Sequence, residues 1–293
     1  MPISNTATGD FSAVMAMAAR IYEPFDKSFA KECLDSSKKA LSYLESNDDE
    51  GGFINPSDVS TGEYPDTEDT DEYFWALSEL YRTTGSSTYE NKLAEIDLDS
   101  LENGMGWQAV NMYGYYAYLS SETQNDDIKK KVKDNFTTHF EEIEKNIEED
   151  GYYSSMGEEY PWGSNMTFAN NGMTLLMADE IYNTDVDYED LAKKQLDYLL
   201  GANSTSYCFV TGYGSLTPEN PHHRPSEALA TTMTGMLVGG ANSNLEDPYA
   251  QNVLTGKPAA KCYVDNAQSY SCNEITIYWN SPLIYLMAGF MAD

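Results

Sequence analysis

The stretch Tyr263-Val-Asp265-Asn-Ala-Gln-Ser-Tyr270-Ser-Cys-Asn273-Glu274-Ile-Thr276-Ile-Tyr-Trp-Asn280-Ser281 joins two regimes of this chain. From 201 to 273, Gly, Pro, Asn and Ser dominate and no helical period persists. Irregular chain of that length inside a compact domain usually means functional loops. From 274 to 291 the apolar spacing predicts a helix. Glu274 falls at the junction, among Tyr270, Cys272, Ile275, Tyr278 and Trp279. Apolar surroundings of that kind hold a carboxyl protonated toward neutral pH. The competing reading is a glutamate that opens a helix and is stabilised by its dipole.

Outward from this junction, most of the chain reads as helices of period 3.6 joined by polar loops. Asp10 is expected to cap an apolar stretch that runs to Tyr22 and stops at Pro24. Phe29 to Leu44 is amphipathic, with Phe29, Cys33, Ala40, Leu41 and Leu44 on the apolar side. An acidic, Gly-containing loop from Asn47 to Asp69 precedes a helix from Asp71 to Tyr81 that ends at Gly85. Further helices are expected near 88–97, 107–119, 126–146, 165–182 and 188–200. Helices following one another without strands predict an all-α barrel or bundle. No linker divides the chain, so residues 1–293 read as one domain.

Composition narrows the function. Net charge is −31, from 48 acidic against 17 basic side chains. A nucleic-acid binder needs Lys and Arg to displace counterions, which excludes that class, and anionic membrane surfaces are disfavoured for the same reason. No apolar run approaches the ~20 residues of a membrane span, and no signal peptide is visible. Cys33, Cys208, Cys262 and Cys272 show no CxxC spacing and read as buried thiols, with a Cys262–Cys272 pairing left open.

Tyr263, Asp265, Tyr270, Asn273-Glu274, Thr276 and Asn280-Ser281 resemble, at every spacing, the signature around the catalytic acid of family 9 glycoside hydrolases, the cellulose-cutting endoglucanases. Cys208-Phe-Val-Thr-Gly-Tyr-Gly214 and Pro221-His-His-Arg-Pro-Ser226 resemble the family's other signature, with Cys208 and Leu216 as departures. Gly235 to Asn242, Pro258 to Tyr263, Pro161 to Asn165, Ala169-Asn-Asn171 and Asp71 to Trp75 are similar to members that carry an immunoglobulin-like domain.

The resemblance implies an (α/α)6 barrel and inverting hydrolysis of internal β-1,4-glucosidic bonds, with cellulose or β-glucan oligosaccharides as partners. Glu274 is then the acid. Asp265 orients active-site loops, raises the pKa of Glu274 by like charge, or simply caps a turn. His222 and Arg224, two positions apart and projecting alike if extended, contact sugar hydroxyls; His223 points elsewhere. Trp162, Trp107 and Trp279 are candidate stacking platforms for pyranose rings, against the alternative of core tryptophans. Met166 and Thr167 stand where relatives lacking the immunoglobulin-like domain carry sugar contacts. Asp71 and Glu72 are expected to help bind structural calcium, within a crowd of acids from Asp66 to Glu72 that also suits a helix N-terminus. Gln108 or Ala109 replaces a carboxylate expected after Trp107.

The family's base lies in an Asp-Ala-Gly-Asp motif, which this sequence does not contain. The barrel is therefore expected to be incomplete, lacking N-terminal helices, with the missing N-terminal part as a partner. Two rival expectations follow: a non-catalytic carbohydrate-binding or partner-binding remnant, and one piece of a cleaved or truncated enzyme. The family resemblance implies secretion.

Overall fold

The computed structural model describes residues 3–47, 53–60 and 62–291. They fall into two compact units, Met1–His139 and Phe140–Asp293. The acidic loop expected from Asn47 to Asp69 lies partly outside the described residues, at 48–52 and 61.

In the first unit α1 spans Asn5–Tyr22 and α2 spans Lys27–Leu44. Ser4, not Asp10, caps α1 by accepting from the Ala7 N–H. Asp10 instead sits one turn inside the helix, where burial, then the charges of Asp71 and Asp66, push its pKa up to about 7. Asp26 caps α2 through the N–H groups of Ser28 and Phe29. Small side chains let the two helices approach. Ala13, Ala16 and Ala19 are buried, and Ser12 and Ser37 donate to each other's carbonyls at 3.0 and 2.7 Å. Phe29, expected in the apolar face of α2, is 41% exposed and packs edge-on against Tyr22. The buried row is instead Ala30, Cys33, Ser37, Ala40, Leu41 and Leu44, because two small residues per turn fit the close helix where an aromatic does not.

The next helix, α3 (Thr70–Thr84), ends at Gly85 in the left-handed conformation and is buried almost all round through Phe74, Trp75, Leu77, Leu80 and Tyr81. It packs against α1, α4 (Ser87–Leu93) and α5 (Asn111–Leu119). Residues 107–109, expected to open α5, instead lie in a turn closed by Gly106 N–H donating to Ala109 C=O. Along α6 (Asp126–Glu149), Ile128, Val132 and Phe136 are buried in the first unit and Phe140, Ile143 and Ile147 in the second.

In the second unit α7 (Ser164–Ile181) is buried over most of its surface and packs against α8 (Tyr188–Leu199) and the last helix. Phe168 of α7 stacks on Tyr198 of α8 at 3.7 Å between centroids. Phe209, Val210, Leu237, Val238 and Tyr263 from the long irregular segment close the same core. That segment carries three short helices, α9 (Arg224–Leu229), α10 (Pro248–Leu254) and α11 (Tyr270–Asn273). Residues 208–211 and 235–238 run antiparallel and pair through Thr211 N–H to Met236 C=O and Val238 N–H to Phe209 C=O. The final helix, α12, is Ile277–Gly289, capped by Thr276. The helix expected from Glu274 therefore starts three residues later. Thr276 supplies the side-chain acceptor for the first turn, and Glu274 is left extended at φ −60°, ψ 149°.

All four cysteines are buried and free. Cys272 Sγ points at the Cys262 carbonyl oxygen, so the Cys262–Cys272 pairing left open by the sequence is not made. Among the described residues no helix is long and apolar enough to cross a membrane.

The Phe168–Tyr198 stack is the centre of the second unit's core. Phe168→Ala should therefore cost about 3–5 kcal/mol, measured by urea unfolding. A loss under about 1 kcal/mol would mean that the core is organised elsewhere.

Candidate active site

Glu274 occupies the gap between α11 and α12 and is half-buried. Its backbone is held on both sides. The His222 N–H donates to the Asn273 carbonyl at 2.8 Å, and the Gly239 N–H donates to the Glu274 carbonyl at 3.1 Å. A single parallel bridge thus sets His222 beside Glu274. The backbone at Glu274 is extended where the sequence suggested a helix start. Trp162 Nε1–H donates to Glu274 Oε2 at 3.1 Å. Burial raises the pKa of Glu274 above the usual carboxylate value, while the Trp162 hydrogen bond and the nearby His222 oppose the rise.

Asn273 builds the turn that ends at Glu274. Its Nδ2 donates to the carbonyls of Val264, Asn266 and Ser269 at 2.6 to 3.1 Å, and its Oδ1 accepts from Tyr263 O–H at 2.9 Å. Tyr270, one turn before Glu274, lies 5.4 Å from the Trp162 ring and 6.0 Å from that of His222. Asn280 Oδ1 accepts from the Leu237 N–H, tying α12 to the 235–238 segment.

Asp265 grips a loop. Its carboxylate accepts from the N–H groups of Glu219 and Asn220, both at 2.9 Å, and from Asn220 Nδ2 at 3.3 Å. These bonds fix the chain immediately before Pro221-His222. Of the roles open to Asp265, orienting loops is the one this geometry supports. The rise at Glu274 comes from burial, not from a neighbouring carboxylate.

His222 Nδ1 lies 2.8 Å from the Ala267 carbonyl oxygen. A carbonyl only accepts, so Nδ1 carries the proton and Nε2 remains available to a ligand. His223 turns away and bonds to Ser226 Oγ, as expected. Arg224 opens α9 and is exposed. It is in none of the ion pairs among the described residues.

The three tryptophans separate. Trp162 is 38% exposed, with its indole edge on Glu274 and a ring face beside Tyr270. Trp107, in the first unit, is also 38% exposed and packs edge-on with Tyr64. Trp279 is only 3% exposed. A Cβ on Gly163 or Gly239 would stand 2.9 or 3.1 Å from its ring carbons, so backbone covers the indole. Trp279 is thus a core residue and not a stacking platform.

Asp71 and Glu72 open α3 in the first unit. The Asp71 Oδ2 accepts from the Val110 N–H at 2.7 Å. Glu72 is fully buried, and neither of its oxygens has a hydrogen-bond partner. Burial, then the charge of Asp71, pushes its pKa up to about 10. Asp66 and Asp10 each bury one further unpartnered oxygen. Asp66, Glu68 and Asp71 line a cavity of about 350 Å³ with Glu102 and Gln108. Among the described residues no three acidic, His or Cys side chains converge on one metal position.

Residues 1–287 match the family model described as glycosyl hydrolase family 9. A cellodextrinase from Butyrivibrio fibrisolvens is 34% identical over 99% of this chain and 56% of its own length. Endoglucanase D from Acetivibrio thermocellus is 34% identical over 99% of this chain and 45% of its own. The chain thus spans about half the length of the curated relatives it matches. A solved thermostable endoglucanase from Alicyclobacillus acidocaldarius superposes with a TM-score of 0.90 at 35% identity, covering 100% of this chain and 56% of that one. The structure of AaCel9A in complex with cellobiose-like isofagomine superposes with a TM-score of 0.93 at 36% identity, with the same coverage. The helices are accordingly those of part of an (α/α)6 barrel. With residues 1–287 of the chain matched by the family model and the same helical scaffold, the chain belongs to glycosyl hydrolase family 9.

Proposed function

We propose that this chain carries the acid half of an inverting β-1,4-glucan endohydrolase site, with Glu274 protonating the leaving glycosidic oxygen. The observation that supports it most is the Glu274 carboxyl, half-buried, raised in pKa by that burial and steered by the Trp162 indole N–H. A general acid must hold its proton near the working pH and present it in a fixed direction. His222 Nε2 and the Arg224 guanidinium are left open to sugar hydroxyls, and Trp162 offers a ring face to a pyranose. The cellodextrinase and endoglucanase names of the relatives support a cello-oligosaccharide or cellulose substrate, and family membership supports an extracellular location.

Fused behind the preceding helical segment of a close family member, the Glu274→Gln variant should lose ~100-fold or more of cellulose hydrolysis. An aryl cellobioside with a good leaving group needs less protonation and should be partly spared. Equal loss on both substrates would remove Glu274 from the acid role.

Inversion also needs a carboxylate on the opposite face, roughly 6.5–9.5 Å from the acid, with a water between. Asp265 is committed to the Glu219–Asn220 backbone, and the sequence contains no Asp-Ala-Gly-Asp stretch. The 293-residue chain alone should therefore bind cello-oligosaccharides yet turn over soluble cellulosic substrate poorly or not at all. Turnover that vanishes in Glu274→Gln would overturn this, because another carboxylate of the chain would then serve as base.

For the first unit we propose a structural calcium at the head of α3. The donors fit in kind: hard carboxylate oxygens on Asp66 and Glu72, buried and without partners, suit calcium better than a softer metal. Asp71 and Glu72 would hold it, and backbone carbonyls and water would complete the six to eight oxygens that calcium takes. The ion would neutralise carboxylates that otherwise stay protonated. Calcium should raise the melting temperature progressively with concentration, and Glu72→Gln should abolish that response while folding normally in chelator. A melting curve indifferent to both calcium and chelator would dispose of the site.

A further inference from the structure

We infer that Asp247 is a positioning residue for Glu274, acting through the four-residue helix α11. The inference rests on reading Glu274 as the acid. Asp247 is fully buried and forms no ion pair among the described residues. Its carboxylate is met by donors from two elements. Oδ1 accepts from the Ala250 N–H at 2.7 Å and caps α10. Oδ2 accepts from Ser269 O–H at 2.8 Å, Ser271 N–H at 3.3 Å and Ser271 O–H at 2.5 Å.

Capping α10 explains only the first oxygen. An asparagine caps a helix as well as an aspartate does and buries no charge. A buried ion without a cation is tolerated only where hydrogen bonds replace its hydration. Three donors on one oxygen also require an acceptor with no hydrogen of its own, which the nitrogen of an asparagine is not. Burial pushes the Asp247 carboxyl up, and the donors from Ser271, Ala250 and Ser269 more than reverse it, so the group is held as the anion.

All the bonds on Oδ2 land on the segment that builds the acid's surroundings. Ser269 precedes α11, Ser271 lies within it, and Glu274 follows its last residue. A single turn of helix is too short to hold itself; α11 is kept in place by Asn273 and by Asp247. It also carries Tyr270, whose ring lies beside both Trp162 and His222. Loosening α11 therefore displaces the carboxyl, the indole that donates to it and the aromatic that supports the indole. Sequence separation hides the connection, because Asp247 lies 22 and 24 residues from its serine partners.

The test uses Asp247→Asn and Ser271→Ala in the 293-residue chain. It follows the Trp162 indole N–H and the Glu274 carboxyl by NMR, with circular dichroism and melting as controls for folding. Both variants should stay folded. Solvent exchange of the Trp162 indole hydrogen should rise on the order of tenfold, the scale of one weakened hydrogen bond. The Glu274 titration should move to higher pH, because losing the indole donor disfavours the carboxylate. If both Trp162 and Glu274 signals stay at their parent positions while only the melting temperature falls, Asp247 is a helix cap and the inference is overturned. If Asp247→Asn does not fold, Ser271→Ala decides by the same criteria. The role of Glu274 is read separately, in the fused enzyme described above: an unchanged rate on Glu274→Gln substitution there would remove the acid and leave the NMR result standing.

Discussion

A buried backbone that is neither helix nor sheet must find a partner for each N–H and C=O outside any repeating ladder, and each orphan costs about 1–3 kcal/mol. The second unit is organised by that requirement. Its core is closed by Phe209, Val210, Leu237, Val238 and Tyr263, none of them in a regular helix. Side chains therefore act as surrogate backbone. Asn273 serves three carbonyls, Asn165 donates to Val238, Asn280 accepts from Leu237, and Asp247 accepts from Ala250 and Ser271. The Asn and Ser content of the segment is thus a consequence of burying it.

The character of Glu274 follows from the same scaffold. Its neighbours exclude water and favour the protonated form, whereas Trp162 and His222 favour the charged one. Because the opposing groups sit on separate segments, each clipped to the backbone around Glu274, the balance depends on the loops staying registered. Asp265 holds the 219–220 chain, and the His222 N–H bonds to Asn273. Acidity and orientation are therefore set together.

In the first unit it is buried side-chain carboxylates that lack partners. Glu72, Asp66 and Asp10 bury carboxylate oxygens without partners, and burial answers by raising the pKa of Glu72 and Asp10. A proton satisfies Glu72 up to about pH 10, and the calcium proposed above would have to displace it.

The sequence by itself determined the all-α class, the approximate limits of α2, α3, α6, α7 and α8, and the motif spacing that carries Glu274, His222 and Arg224. Those features are local. Helical period, a glycine stop at Gly85 and a fixed motif spacing are all read within a few residues. Tertiary structure decided whatever depends on which distant group arrives. Ser4 rather than Asp10 caps α1, because α3 closes over Asp10. Thr276 rather than Glu274 begins α12, because His222 and Gly239 draw the Glu274 backbone into an extended shape. Trp162 reaches Glu274 while Trp279 lies under Gly163 and Gly239, a distinction invisible to spacing. The link from Asp247 to α11 belongs to the same class: hydrogen-bond partners across a buried loop are chosen by packing, and packing is a property of the whole fold.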